Sequence, residues 1–246
     1  MDLGSPSLGA IRRTTAVDTV RARISLALEL GMLVPGQRLP APEEAARAFG
    51  VSEMSVRRAY RALSDEGVVV RRQGNTGGTF IADAPAVGTV PEIAAYREDA
   101  VHVHALIDQR ATLEAGLAAR AAAAPEAPSL RRLDDLVATM RTEPDWSRFR
   151  EADAAFHAEL AVSAGVPGAA DLHHRVSREL YSYFIPYRIE YLRASNEEHA
   201  QLVDALRIGD AAAASRLAFD HVAELHRSMY VGLAGPGPIE SAQSAL

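Results

Sequence analysis

The sequence predicts a mostly α-helical protein: an N-terminal winged helix-turn-helix followed by an all-α helical-bundle domain. Two observations carry this. Within the first eighty residues, two short helical patterns separated by a three-residue break lead into two β-rich runs around a glycine-rich tip. Beyond Pro91, strand signals nearly vanish and alanine-rich helical periodicity takes over.

The first helix carries apolar residues at Val17, Val20, Ile24, Ala27 and Leu28, and Gly31 stops it. Leu33 to Pro40 is a turn-rich connector, after which Pro42 opens a second helix bearing Ala45, Ala46 and Phe49. Gly50-Val51-Ser52 forms a tight break. Ser52 caps a third helix whose apolar face is Val56, Ala59, Tyr60 and Leu63, with Arg57, Arg58 and Arg61 on other faces. The runs 68–72 and 79–82 flank Gln73 to Gly78 and make a hairpin, or wing. Glycines at its tip permit close backbone approach, and the adjoining arginines suit phosphates.

The domain division read from these patterns is a disordered tail at 1–12, a DNA-binding head at 13–84, a Pro/Gly/Val linker at 85–92, an all-helical domain at 93–234 and a disordered tail at 235–246. Helices are expected near 93–123, 130–142, 146–164, 168–185, 196–208 and 211–232, the fifth opened by a Ser195-Asn196-Glu197-Glu198 capping box, and the first, third and fifth stopped by Pro125, Gly165 and Gly209.

The 246-residue chain has no cysteine, which excludes a disulfide framework and thiolate metal sites. It shows neither a signal-peptide pattern nor an apolar run of membrane-spanning length, so a cytoplasmic protein without a membrane partner is expected. Net charge is −6, unevenly spread: residues 1–85 hold 11 Arg against 9 acids, and residues 86–246 hold 15 against 23. The basic balance of the head is too slight to identify DNA binding alone, so that reading rests on the motif.

Polar residues on apolar stripes locate a candidate site, because a buried polar group needs a partner. Asp153 and His157 share the stripe Phe149, Asp153, Phe156, His157, Leu160, Ala164; His199 lies with Leu202, Val203 and Leu206; His221 lies with Ala214, Leu217 and Leu225. One carboxylate and three imidazoles thus face a helical core from three helices. They suit a divalent metal, with zinc the first choice and nickel or manganese the alternatives; hydrogen-bonded core histidines are the competing reading. Arg110 falls on the stripe Val103, Leu106, Arg110, Leu113, Leu117, where it either holds an anionic effector or pairs with Glu114. On the fourth helix Tyr181, Tyr183, His173 and His174 are further polar candidates, and Tyr183 is chosen with Arg110 for effector binding.

Residues 17–82 resemble the winged-helix domain of the GntR family of bacterial regulators, through Leu33–Pro40, Gly50-Val51-Ser52, Val56-Arg57, Asp65-Glu66-Gly67 and Gly77-Gly78-Thr79-Phe80. Residues 96–232 resemble its FCD ligand-binding domain, through Arg110, Leu113-Glu114, Asp153, Phe156-His157, Glu198-His199, Gly209-Asp210 and His221. The resemblance implies a third helix in the major groove and a wing at the minor groove, with Arg38, Ser52, Ser55, Arg57, Arg58, Gly77 and Gly78 as DNA contacts. It also implies the metal-binding branch of the subfamily, with Asp153, His157, His199 and His221 as ligands.

The function so implied is a transcription regulator, a repressor rather than an enzyme. It would bind double-stranded operator DNA as a homodimer, under control of a small carboxylate bound at the metal. A metal sensor and a metal-dependent hydrolase are the alternatives; no separate nucleophile or general base supports the latter. Two departures from the family pattern stand out. Glu53 and Glu43-Glu44 occupy positions where relatives carry basic residues, Glu53 being read here as capping its helix, and Val166 replaces a turn asparagine.

Overall fold

The computed structural model describes residues 15–74, 77–86 and 100–228. The head contains α1 (Ala16–Glu29), α2 (Pro42–Phe49), α3 (Glu53–Asp65), β1 (Val69–Arg72) and β2 (Gly78–Ile81). Thr15 opens α1 with a capping box to Asp18, and Gly50 ends α2 in the left-handed region at φ 66°. Ser52 caps α3 by accepting from the Ser55 backbone N–H at 3.1 Å. Val20, Ile24 and Ala27 of α1, Ala45 and Phe49 of α2, and Val56, Ala59 and Leu63 of α3 close a common core.

The strands pair antiparallel, Val69 opposite Ile81 and Arg72 opposite Gly78. The connector joins this ladder: Leu39 N–H donates to the Thr79 carbonyl and Ile81 N–H to the Gln37 carbonyl, each at 2.8 Å. A Cβ on Gly77 would stand 2.6 Å from the Arg72 carbonyl oxygen, so the tight approach to the tip requires glycine there.

The second region comprises α4 (Ala100–Ala123), α5 (Ala127–Thr142), α6 (Trp146–Ser163), α7 (Ala169–Tyr181), α8 (Ile189–Arg207), α9 (Ala211–Ala223) and α10 (Leu225–Ser228). Helix α4 runs centrally, flanked by α6, α7, α8 and α9, and α5 covers α6 and α8. Among the described residues no helix is long and apolar enough to cross a membrane. The tails expected at 1–12 and 235–246, most of the linker, the wing-tip residues 75–76 and the start of the helix expected from 93 lie outside the described residues.

Three expectations need correction. Helix α7 ends at Tyr181 rather than 185: Phe184, Ile185 and Tyr187 are buried in an irregular connector that contains Pro186, which disfavours helix in the residue before it. Helix α8 starts at Ile189, so Ser195 to Glu198 is helix interior, not a cap. Asn196 there is fully buried and donates to the Val137 carbonyl at 3.0 Å. The last helix is interrupted at Glu224 rather than running unbroken.

Candidate functional site

The inward stripes bring four residues together. Ligand atoms of Asp153 and His157 on α6, His199 on α8 and His221 on α9 all lie within 4.8 Å of one another. His199 Nε2 is 3.3 Å from His157 Nε2 and 3.0 Å from His221 Nε2, and Asp153 Oδ1 is 3.6 Å from both His157 Nε2 and His199 Nε2.

The outward ring nitrogens explain this orientation. His157 Nδ1 donates to Glu114 Oε2 at 2.7 Å and His221 Nδ1 to Glu198 Oε2 at 2.6 Å. His199 Nδ1 donates to Asn196 Oδ1 at 3.2 Å, the Asn196 amide nitrogen being committed to Val137. A carboxylate can only accept, so these bonds place a ring proton on Nδ1 and leave Nε2 as a lone pair wherever the ring is neutral; at His157 burial opposes charge, but Glu114 and Asp153 outweigh it and raise the ring above an ordinary imidazole. Tyr181 Oη donates to the other Asp153 oxygen at 3.0 Å. Ring nitrogens and a carboxylate oxygen converging this closely repel one another unless a positive charge sits among them, a proton at His157 or a metal ion, and the donor set of three imidazoles and one carboxylate fits a divalent metal.

Electrostatics follow the same arrangement. Burial works against ionisation of Asp153, but His157, His199 and Arg110 outweigh it and hold its carboxyl well below the usual range. Burial likewise disfavours charge on Glu114, and Arg110 and His157 overcome it. His199, buried between His221 and His157, is pushed well below an ordinary imidazole.

Beside the four residues lies a cavity of about 70 Å³, bordered by Arg110, Arg150, Asp153, His157, His221 and Tyr181 among others. Arg110 is buried and its Nε donates to Glu114 Oε1 at 2.7 Å, the internal pairing that its stripe position allowed. Tyr183 is not among the residues lining the cavity; it follows the end of α7 and packs edge-on to His102, while Tyr181 takes the place beside Asp153. His173 donates to Glu114 Oε1 at 2.9 Å behind the site, and His174 faces a separate cleft. Arg150 escaped the sequence reading although it lies three residues before Asp153.

On the head, Ser52, Ser55, Arg57 and Arg58 gather at the start of α3, with Ser52 Oγ and Ser55 Oγ 2.8 Å apart. Glu53 does not act as the cap; its Oε1 accepts from Arg57 Nε at 2.8 Å, one turn on. Arg38 Nε lies over the wing, where a Cβ added to Gly78 would meet it at 3.0 Å. Glu43 and Glu44 turn to other tasks: Glu44 accepts from Arg148 of α6 at 2.9 and 2.5 Å, and Arg47 links Glu43 to Glu151. Phe49 packs at a tilt on Trp146, ring centroids 5.4 Å apart, and Trp146 in turn is 5.9 Å from Phe184. Glu44 and Arg47 of α2 thus tie the head to α6 of the bundle.

Comparison with known proteins identifies the family. Residues 16–81 match the bacterial regulatory proteins of the gntR family, and residues 105–224 match the FCD domain. The HTH-type transcriptional regulator RmpR of Mycobacterium gastri is 30% identical over 214 residues, covering 83% of this chain and 77% of that protein. The chain belongs to the GntR family of regulators and carries an FCD domain. The HTH-type transcriptional regulator LutR of Bacillus subtilis is 29% identical over 201 residues, 78% of this chain and 91% of the relative. The histidine utilization repressor of Klebsiella aerogenes is 34% identical over 87 residues, 35% of each chain. The chain is therefore a DNA-binding transcription regulator of the GntR/FCD type and not an enzyme.

Proposed function

We propose that this GntR-family regulator is a cytoplasmic homodimeric repressor whose grip on operator DNA is set by a small carboxylate bound at a divalent metal in its FCD domain. The head is taken as 13–84, the linker as 85–92 and the effector domain as 93–234. Asp153, His157, His199 and His221 would hold the ion, zinc first and nickel or manganese as alternatives, as in the metal-binding branch of the subfamily. The carrying observation is the convergence of three Nε2 atoms and Asp153 Oδ1, each oriented by a partner behind it.

The bound ion would supply positive charge for a carboxylate. Asp153, His157 and His221 themselves border the cavity, so a small acid entering it would meet the ion directly. Phe184 also borders that cavity and contacts Trp146, which packs on Phe49 of the head. Ligand-dependent repacking there would bias the placement of the DNA-binding elements. On DNA, Ser52, Ser55, Arg57 and Arg58 would meet the major groove, and Arg38, Gly77 and Gly78 the minor groove, two copies reading a two-fold site.

The test measures metal content of untagged protein and its His221→Ala variant, then gel mobility of its own upstream DNA with and without metal and carboxylates. The expected result is near-stoichiometric metal lost in the variant, with carboxylate changing mobility only for metal-loaded wild type. Metal-free protein that responds to carboxylates would overturn the reading, and a response to metal alone would make the protein a metal sensor.

A further inference from the structure

Arg150 is the one cation bordering the cavity for which the structure gives neither a carboxylate partner nor a hydrogen bond among the described residues. Arg110 is already bound to Glu114 at 2.7 Å. Arg150 is instead held by ring faces: its guanidinium carbon is 4.4 Å from the Tyr181 ring centroid and 5.6 Å from that of Phe184. Its Nε is buried without a hydrogen-bond partner. Stacking on an aromatic face leaves the in-plane N–H edges of a guanidinium free to grip a planar pair of oxygens.

Position on the helix adds to this. Arg150, Asp153 and His157 stand at i, i+3 and i+7 of α6, along one face, and all three border the cavity. The rise of about 1.5 Å per residue puts Arg150 roughly one to two turns from the two ligands. Tyr181 bridges them, its ring against Arg150 and its hydroxyl on Asp153 Oδ2 at 3.0 Å.

We infer that Arg150 is a second anion anchor, and that the effector class is a small acid with two anionic groups, one directed to the Asp153–His cluster and the other to the Arg150 guanidinium. This rests on the reading that the cluster holds a cation that accepts a carboxylate. It adds a size and charge requirement: a short chain between two anionic groups. Arg150 also borders the cleft that Phe49 and Gly50 of the head line, so the second anchor stands at the junction with the DNA-binding region.

Calorimetric titration of the metal-loaded full chain with butyrate and succinate, matched in carbon number, tests the inference. Succinate should bind wild type about tenfold or more tightly than butyrate, as expected for a charge-assisted contact. Arg150→Gln should erase that preference while leaving butyrate affinity and metal content unchanged, and Arg150→Lys should retain part of it. Repeating the comparison with malonate and glutarate covers other chain lengths. Absence of any diacid preference in wild type, or equal weakening of both acids by Arg150→Gln, would overturn the second anchor alone. Failure of every acid to bind metal-loaded wild type would overturn the carboxylate reading and this inference with it.

Discussion

Glu114 and His157 meet in a hydrogen bond of 2.7 Å with both side chains almost wholly buried, and the same carboxylate also accepts from Arg110 and His173. One side chain therefore sets the orientation of a proposed ligand ring and neutralises a buried guanidinium. Glu114→Gln keeps the shape and removes the charge. It should lower metal affinity about 10–100-fold through loss of imidazole orientation. It should also cost about 3–5 kcal/mol of stability, because Arg110 is left buried and unpaired. Metal titration and urea unfolding of the metal-free protein separate the two effects; unchanged values in both would mean that Glu114 neither orients nor neutralises.

Metal removal should destabilise the FCD domain. The Nε2 atoms 3.0 and 3.3 Å apart face one another, and a cation relieves their repulsion in the folded chain only. At free metal about a thousand times Kd the gain is about 4 kcal/mol. Thermal unfolding before and after chelation should show a lower midpoint in the metal-free protein, restored by adding zinc. His199→Ala should make the midpoint indifferent to chelator. A midpoint unmoved by chelation of protein shown to contain metal would argue against a folded-state site.

Much of this site was legible from periodicity alone, because Asp153, His157, His199 and His221 are polar residues on otherwise apolar stripes. Periodicity also placed Arg110 and Glu114 together. What it could not supply was the second partner of each ring. Asn196 was masked by a sequence that imitates a helix start, since Ser195-Asn196-Glu197-Glu198 fits a cap as well as a helix interior. The true start lies at Ile189, and Leu192, Asn196, His199 and Val203 form its buried stripe. Tyr183 lies off this cavity because the helix that would have carried it ends at Tyr181. Glu44 looked misplaced for DNA binding because its partner Arg148 is brought to it only by the tertiary fold, whereas Glu43 pairs with Arg47 one turn on within α2.

The head-to-bundle contact should depend on Trp146 far more than on the ion pairs around it. Trp146 is 3% exposed between Phe49 and Phe184, so Trp146→Ala should cost about 3–5 kcal/mol. Its Nε1 has no hydrogen-bond partner, so Trp146→Phe loses no hydrogen bond and should cost under about 1.5 kcal/mol. Denaturant unfolding of the two variants checks the contrast, and equal losses would place the energy elsewhere.

The Glu44–Arg148 pair should contribute about 0.2–1 kcal/mol in a double-mutant cycle, since Arg148 is 58% exposed. Its pH dependence has a definite sign. The Arg148 hydrogen bond outweighs burial and lowers the pKa of Glu44, so its contribution is present above the ordinary glutamate pKa and is lost as pH falls through the lowered one. The coupling energy measured near neutrality should therefore shrink in acid; a coupling that grows in acid would contradict the pairing.

Glu53 should act as a brake on DNA binding. Its Oε1 accepts from Arg57 Nε at 2.8 Å, and both side chains are about half exposed, so the pair competes directly with a phosphate for the guanidinium. Glu53→Gln removes the competing charge and one repulsive carboxylate from the proposed groove-facing end of α3, leaving the Ser52 cap in place. Affinity for upstream DNA should rise, and the slope of log K against log salt should steepen by about 0.9, the release expected from one added phosphate contact. Arg57→Gln in the same background should restore the shallower slope, because it removes the added contact. Fluorescence anisotropy across a salt series reads both quantities. A Glu53→Gln variant with stronger binding but an unchanged slope would mean that only the repulsion had been lifted and that Arg57 does not reach a phosphate.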